Sequence, residues 1–171
     1  MTAISQTTPT PPRRLVIGVG NPFRCDDAVG VLAARRIHQP CTGIQVVEAY
    51  GEGASLMETW KPDDHVVLID AVRSGSSPGR IHRLDARAQR IPSDFFSYST
   101  HAFSVAEAIE MSRTLGMLPD RFVVYGIEGK NFSAGEELST DVAGAVDEVV
   151  HRVRAEFEAM MAAPTIEVSH A

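Results

Sequence analysis

The sequence predicts a three-layer α/β/α sandwich built on a mostly parallel, mixed five-stranded sheet. Three observations predict it. Short apolar runs of strand length alternate along the chain with segments whose apolar residues recur at helical spacing. Such alternation selects a sheet covered by helices on both faces, joined by right-handed crossovers. The third observation is the lack of any internal repeat, linker or shift in composition between the two ends. We expect one domain over residues 14–160, with residues 1–13 and 161–171 as flexible termini.

Each element has its own warrant. Leu15 to Val19 is a continuous apolar run ending in Gly18, Val19 and Gly20, which suits a strand buried on both faces. Val29, Leu32, Ala33 and Ile37 then share one helical face. Ile44 to Val47 is a shorter strand, and Leu56, Met57 and Trp60 form the stripe of a second helix. His65 to Val72 is a long apolar run. The Ser74 to Gly79 turn after it is short enough for an antiparallel return, and Arg80 to Leu84 alternates polar and apolar as an edge strand does. Ser104 followed by Glu107 reads as a capping box, opening a helix with the stripe Val105, Ala108, Ile109 and Ser112 that stops near Gly116 and Pro119. Phe122 to Ile127 supplies the remaining strand. The last helix, which Ser139 can cap, carries Val142, Ala145, Val146, Val149, Val150, Val153 and Phe157 at helical spacing. That periodicity outweighs the strand preference of its valines.

Composition narrows the partners. The 171 residues are 44% hydrophobic, enough to bury a core, and 16 Lys and Arg against 22 Asp and Glu give a formal charge of -6. With no basic run to follow a phosphate backbone, nucleic acid is not an expected partner. The apolar runs are strand-sized, and Met1 to Arg14 is polar and Pro-rich without the apolar stretch of a signal peptide. No membrane partner is expected, and the location expected is cytoplasmic. Cys25 and Cys41 lack a C-x-x-C spacing and fit a reducing compartment.

In a parallel sheet, ligands gather outside the carboxyl ends of the strands. Gly18-Val19-Gly20-Asn21-Pro22-Phe23 fails as a dinucleotide fingerprint, because Phe23 stands where the third glycine belongs. The carboxylates Asp26 and Asp27 at the next helix start would also repel a phosphate. One of them suffices for a helix cap, a role that fits Asp26, and Asp27 is then free to point into the crevice. Glu48 ends the second strand. Asp70 lies inside the apolar run Leu68-Ile69-Asp70-Ala71-Val72, where a carboxylate must be paired, hydrogen-bonded to backbone N–H groups or bound to a metal. His101 precedes the Ser104 cap and belongs to a loop; His38, His65, His82, His151 and His170 read as surface or packing residues. If that loop folds over the same edge, Asp27, Asp70 and His101 offer two oxygens and one nitrogen to a divalent transition metal, with positions left open for a substrate. Cys25 is a poor nucleophile candidate, since the adjoining carboxylates oppose its ionisation.

Taken in order, these segments resemble the hydrogenase maturation proteases. Gly18-Val19-Gly20-Asn21 with Asp26-Asp27-Ala28-Val29-Gly30 is similar to that family's first acidic segment. Leu68-Ile69-Asp70-Ala71-Val72 with its Pro78-Gly79 turn is similar to the second, and Ser99-Thr100-His101 to the third. Val124-Tyr125-Gly126-Ile127-Glu128-Gly129 and Leu138-Ser139 resemble the last strand and the start of the last helix. The chain departs from the family pattern at Glu48-Ala49-Tyr50-Gly51, where many members have Asp-Gly-Gly-Thr, and at Arg24-Cys25. The resemblance implies a phosphorylase/hydrolase-like fold and an endopeptidase that removes the C-terminal extension of a nickel-iron hydrogenase large-subunit precursor after nickel insertion. It implies Asp27, Asp70 and His101 as catalytic and metal-contacting residues, with nickel carried by the substrate; other divalent metals can occupy such a site. Two alternatives stand beside it: a non-cleaving, nickel-checking chaperone of the large subunit, and a metal-dependent peptidase with another substrate.

Overall fold

A computed structural model describes residues 11–37, 43–50, 52–96 and 103–162. Five strands, β1 (Arg14–Val19), β2 (Ile44–Ala49), β3 (His65–Val72), β4 (Ile81–Asp85) and β5 (Arg121–Glu128), form one sheet in the order β2-β1-β3-β5-β4. β1 lies parallel to β2 and β3, β3 lies parallel to β5, and β4 runs antiparallel to β5. The sheet is therefore mixed through its edge strand, as the short turn suggests. β4, however, pairs beyond β5 and not beside β3, so residues 73–80 must pass across the carboxyl end of β5.

Alternate residues of each strand feed two cores, because side chains on a strand point to opposite faces. Val16, Val67 and Val123 meet α1 (Val29–Ile37) and α4 (Thr140–Ala162) on one face. Leu15, Leu68 and Val124 meet α2 (Gly53–Met57) and α3 (Val105–Thr114) on the other. Burial on both faces is why β3 reads as an unbroken apolar run. The capping box of α3 is formed, with Ser104 N–H donating to Glu107 at 2.6 Å and Glu107 N–H donating to the Ser104 hydroxyl at 3.3 Å. Trp60 falls past the end of the short α2, yet it is buried in the same core with its ring edge-on to Phe122. Among the described residues, no helix is long and apolar enough to cross a membrane.

The chain leaves β1 toward β2 on one side, and β3 lies on the other. The carboxyl ends of β1 and β3 thus flank the point where strand order reverses, which is where open α/β sheets form a crevice.

Candidate functional site

Glycine lets the first helix reach that crevice. A β-carbon on Gly30 would collide with the carbonyl oxygens of Ile69 and Val19, and one on Gly18 would lie 2.6 Å from the Ala34 β-carbon. The start of α1 therefore rests directly on the backbones of β1 and β3. Gly20, at φ 140°, passes so close to the Asp27 carbonyl that no side chain fits. The intervening loop folds on itself: Phe23 N–H donates to the Asn21 side chain, and Arg24 N–H to the Asn21 carbonyl. A single 3-10 turn, Cys25–Ala28, then presents two adjacent carboxylates in different directions.

Asp26 points away from the crevice and is fully buried. Its carboxylate accepts the N–H groups of Lys130, Asn131 and Ser139 at 2.8, 2.8 and 2.7 Å, and the Ser139 hydroxyl at 2.9 Å. Its role is not the helix cap expected, since the turn makes no side-chain cap bond; it staples the first loop to the segment that enters α4. Burial alone would raise its pKa, but the donated N–H and O–H groups outweigh burial and hold it below the usual carboxylate value. Cys25 N–H donates to the Gly135 carbonyl, and the Arg24 guanidinium donates to the Phe132 carbonyl at 3.3 and 3.1 Å. Those bonds give Arg24, which departs from the family pattern, a structural role in the same staple.

Asp27 faces the other way and is half-buried, with one oxygen accepting Asn21 N–H at 3.0 Å. Asp70, near the end of β3, is buried and accepts the N–H of Ala71 at 2.8 Å. Asp70 feels the neighbouring carboxylate. Burial pushes Asp70 well above the ordinary carboxylate range, and the nearby Asp27 adds to the rise. Burial raises Asp27 as well, against the opposing pull of Asn21 N–H and Arg24. A buried acid with a second, half-buried carboxylate beside it cannot hold its charge cheaply, and a proton or a cation would relieve the pair. This donor set fits a divalent metal as far as its oxygens go, and among the described residues no third histidine, cysteine or acid completes a cluster. His101 lies outside the described residues. Its neighbour Phe103 is anchored at the start of α2, where its carbonyl accepts Gly53 N–H at 3.1 Å and its ring packs on Gly53.

Two other acids at this edge differ from expectation. Glu48 does not join the crevice: Arg35 of α1 grips it bidentately at 2.7 and 2.8 Å on the surface, and that bond lowers its pKa. Glu128, at the end of β5, was not singled out by sequence reasoning, yet it is buried. It accepts Ser74 N–H, the Ser74 hydroxyl and Gly75 N–H at 3.2, 2.7 and 3.0 Å, with His82 Nε2 at 3.4 Å. It pins the turn that crosses β5, and so holds the wall of the crevice beyond Asp70. Its sequence signal was an acid closing an apolar strand, the same signal that marked Asp70.

Comparison with known proteins finds relatives of the same fold. A family model described as hydrogenase maturation protease matches residues 29–156. The hydrogenase 2 maturation protease of Escherichia coli is 24% identical over 84% of this chain and 89% of its own. A hydrogenase expression/formation protein, HupD of Rhodobacter capsulatus, is 25% identical over 85% and 73%. Among solved structures, the hydrogenase maturating endopeptidase HybD of E. coli superposes with a TM-score of 0.69 at 20% identity, covering 86% of this chain and 93% of that one. HybD of Thermococcus kodakarensis gives 0.60 at 24% identity, covering 84% and 97%.

Proposed function

This chain belongs to the hydrogenase maturation protease family, and on that premise we propose that it is the endopeptidase that removes the C-terminal extension of a nickel-iron hydrogenase large-subunit precursor after nickel insertion. Buried Asp70 with half-buried Asp27 beside it carries the reading. An acid pair poised at a strand-order reversal accepts a cation presented by a partner, and nickel arrives as part of the substrate. Binding it relieves the opposition of burial to the charge on Asp70 and sets the adjacent peptide bond against the crevice. A precursor without nickel offers no cation and is a poor ligand. His101 supplies the third contact; the anchoring of Phe103 at the carboxyl edge supports that role.

The test is mass measurement of the large-subunit precursor after incubation with this protein, nickel-loaded and nickel-free in parallel. The expected outcome is shortening of the loaded form alone. Equal cleavage of both forms would contradict metal-borne recognition. Tight binding without shortening would identify a nickel-checking chaperone, and release of fragments from unrelated peptides a peptidase with another substrate.

A further inference from the structure

The opposite edge of the sheet carries a second, chemically distinct feature: a cavity of about 1100 Å³. Arg14, His65 and Arg121 stand there in register on three adjacent strands, on the face that carries Val16, Val67 and Val123. Adjacent strands lie about 4.8 Å apart, so Arg14 and Arg121 flank the His65 position on either side. Most of the acids around the row already have partners. Asp64 takes Arg13 at 3.0 and 2.5 Å together with Lys61 N–H, and Glu156 takes Arg83 at 2.9 and 2.7 Å with the Tyr125 hydroxyl. Asp85 accepts two N–H groups of its own turn, and Asp120 pairs with Arg87. Asp63, on the rim, is exposed.

Among the described residues, Arg121 enters no ion pair, Arg14 reaches only the Met161 sulfur, at 3.3 Å, and His65 Nδ1 is buried without a hydrogen-bond partner. A buried polar atom without a partner is rare enough to need an explanation. We infer that this cavity binds an oxyanion, a carboxylate or a phosphate on an apolar body, which Arg14 and Arg121 grip from two sides of His65, and Met160 and Met161 cover. Guanidinium groups are suited to both anions. His65 stands about 17 Å along β3 from Asp70, so the site is separate from the acid pair and does not rest on the proteolytic reading. Burial first, then the flanking Arg121 and Arg14, lower the pKa of His65, while Asp64 opposes them; the imidazole is thus neutral at neutral pH and able to donate one N–H.

His65 is the reporter for the test. Its ring resonances in the full chain, assigned with the His65→Gln variant, are followed while inorganic phosphate, acetate or octanoate replaces chloride at constant ionic strength. The expected result is a saturable shift with a rise in the His65 pKa. Phosphate or octanoate acting at the lower concentration tells which head group the site prefers. Arg121→Gln should weaken that binding about tenfold, as loss of a charge-assisted bond does, and should raise the His65 pKa in the free protein without lowering its thermal midpoint. No saturable shift with any of the three anions would overturn the inference. So would a shift unchanged in Arg121→Gln, or a destabilised Arg121→Gln protein, which would show that the chain itself satisfies the row.

Discussion

Asp26 and Asp70 are both buried carboxylates packed around the same first helix, and their surroundings drive them in opposite directions. Asp26 has four donors aimed at it, enough to hold its charge inside the protein. Asp70 has one N–H and, across the crevice, a second carboxylate. The first arrangement is what a fold needs to stabilise a charge; the second is unstable until something positive arrives. Environments that push like groups apart in pKa separate structural acids from functional ones. Asp27 belongs with Asp70 in this respect, although it is Asp26's immediate neighbour in sequence.

The largest expected effect is on activity. Asp70→Asn, Asp27→Asn and His101→Ala should each lower precursor processing by at least about 10²-fold, the scale for losing one group that meets the reacting centre. Asp70→Asn should at the same time leave the free protein as stable as the parent or more stable at neutral pH, because it removes a carboxyl whose ionisation burial opposes. Tail removal and thermal unfolding measured on the same preparations decide this. A well-folded Asp70→Asn protein that still processes its substrate would reject the site.

Asp26→Ala should do the reverse. It leaves three N–H groups and a hydroxyl without their acceptor, so unfolding in urea should show a loss of about 3 kcal/mol, in the range for hydrogen bonds to a charged group. Any fall in processing should then track the loss of folded protein. The two acids also predict opposite pH dependence. Asp26, held below its ordinary pKa, stabilises the fold above the ordinary carboxylate value, and that contribution is lost as pH falls through its folded pKa. Asp70 and Asp27, raised above theirs, contribute fully only below the ordinary carboxylate value. Their contribution is lost as pH rises through the folded pKa values.

A cation should cancel that second loss. Divalent nickel or zinc, added at about a hundred times its dissociation constant, should stabilise the native protein by about 2.7 kcal/mol. The gain should grow with pH and vanish in Asp70→Asn. A thermal midpoint insensitive to either metal across the whole pH range would confine the pair to proton binding.

Much of this was readable in the sequence, for identifiable reasons. The three central strands were visible because burial on both faces leaves unbroken apolar runs such as Val66 to Ile69, and the half-exposed edge strands through shorter or alternating patterns. Asp27 and Asp70 stood out because a carboxylate inside or beside such a run demands an explanation. The partners of Asp26 did not, since Lys130, Asn131 and Ser139 lie more than a hundred residues away along the chain. Glu48 was misplaced because its partner, Arg35, projects from the neighbouring helix. Glu128 went unnoticed for a topological reason: β4 pairs beyond β5, and only then does the turn at Ser74 and Gly75 cross the end of β5 and need an acceptor there.

The smallest expected effect tests the hinge between the two acids. Cys25 separates the structural loop from the Asp26–Asp27 pair, is buried, and is the one non-glycine among the described residues with positive φ, 45°. That conformation sets the orientation of the 3-10 turn, whose three residues per turn face consecutive carboxylates to different sides, and for an L-residue it costs roughly 1 to 2 kcal/mol. Cys25→Ser keeps the size and the strain, so processing and stability should stay close to the parent values; an inactive Cys25→Ser protein would instead point to a thiol nucleophile. Cys25→Gly relieves the strain but loosens the unfolded chain, which offsets roughly 0.5 to 1 kcal/mol of the gain. It also gives up the contact of the sulfur with Gly135. The net change in stability should therefore lie within about 1 kcal/mol, with processing retained. Cys25→Val, which is β-branched and poorly suited to positive φ, should lose stability and processing together. If Cys25→Val were neutral in both, the left-handed turn would not be what aims Asp26 inward and Asp27 at the crevice.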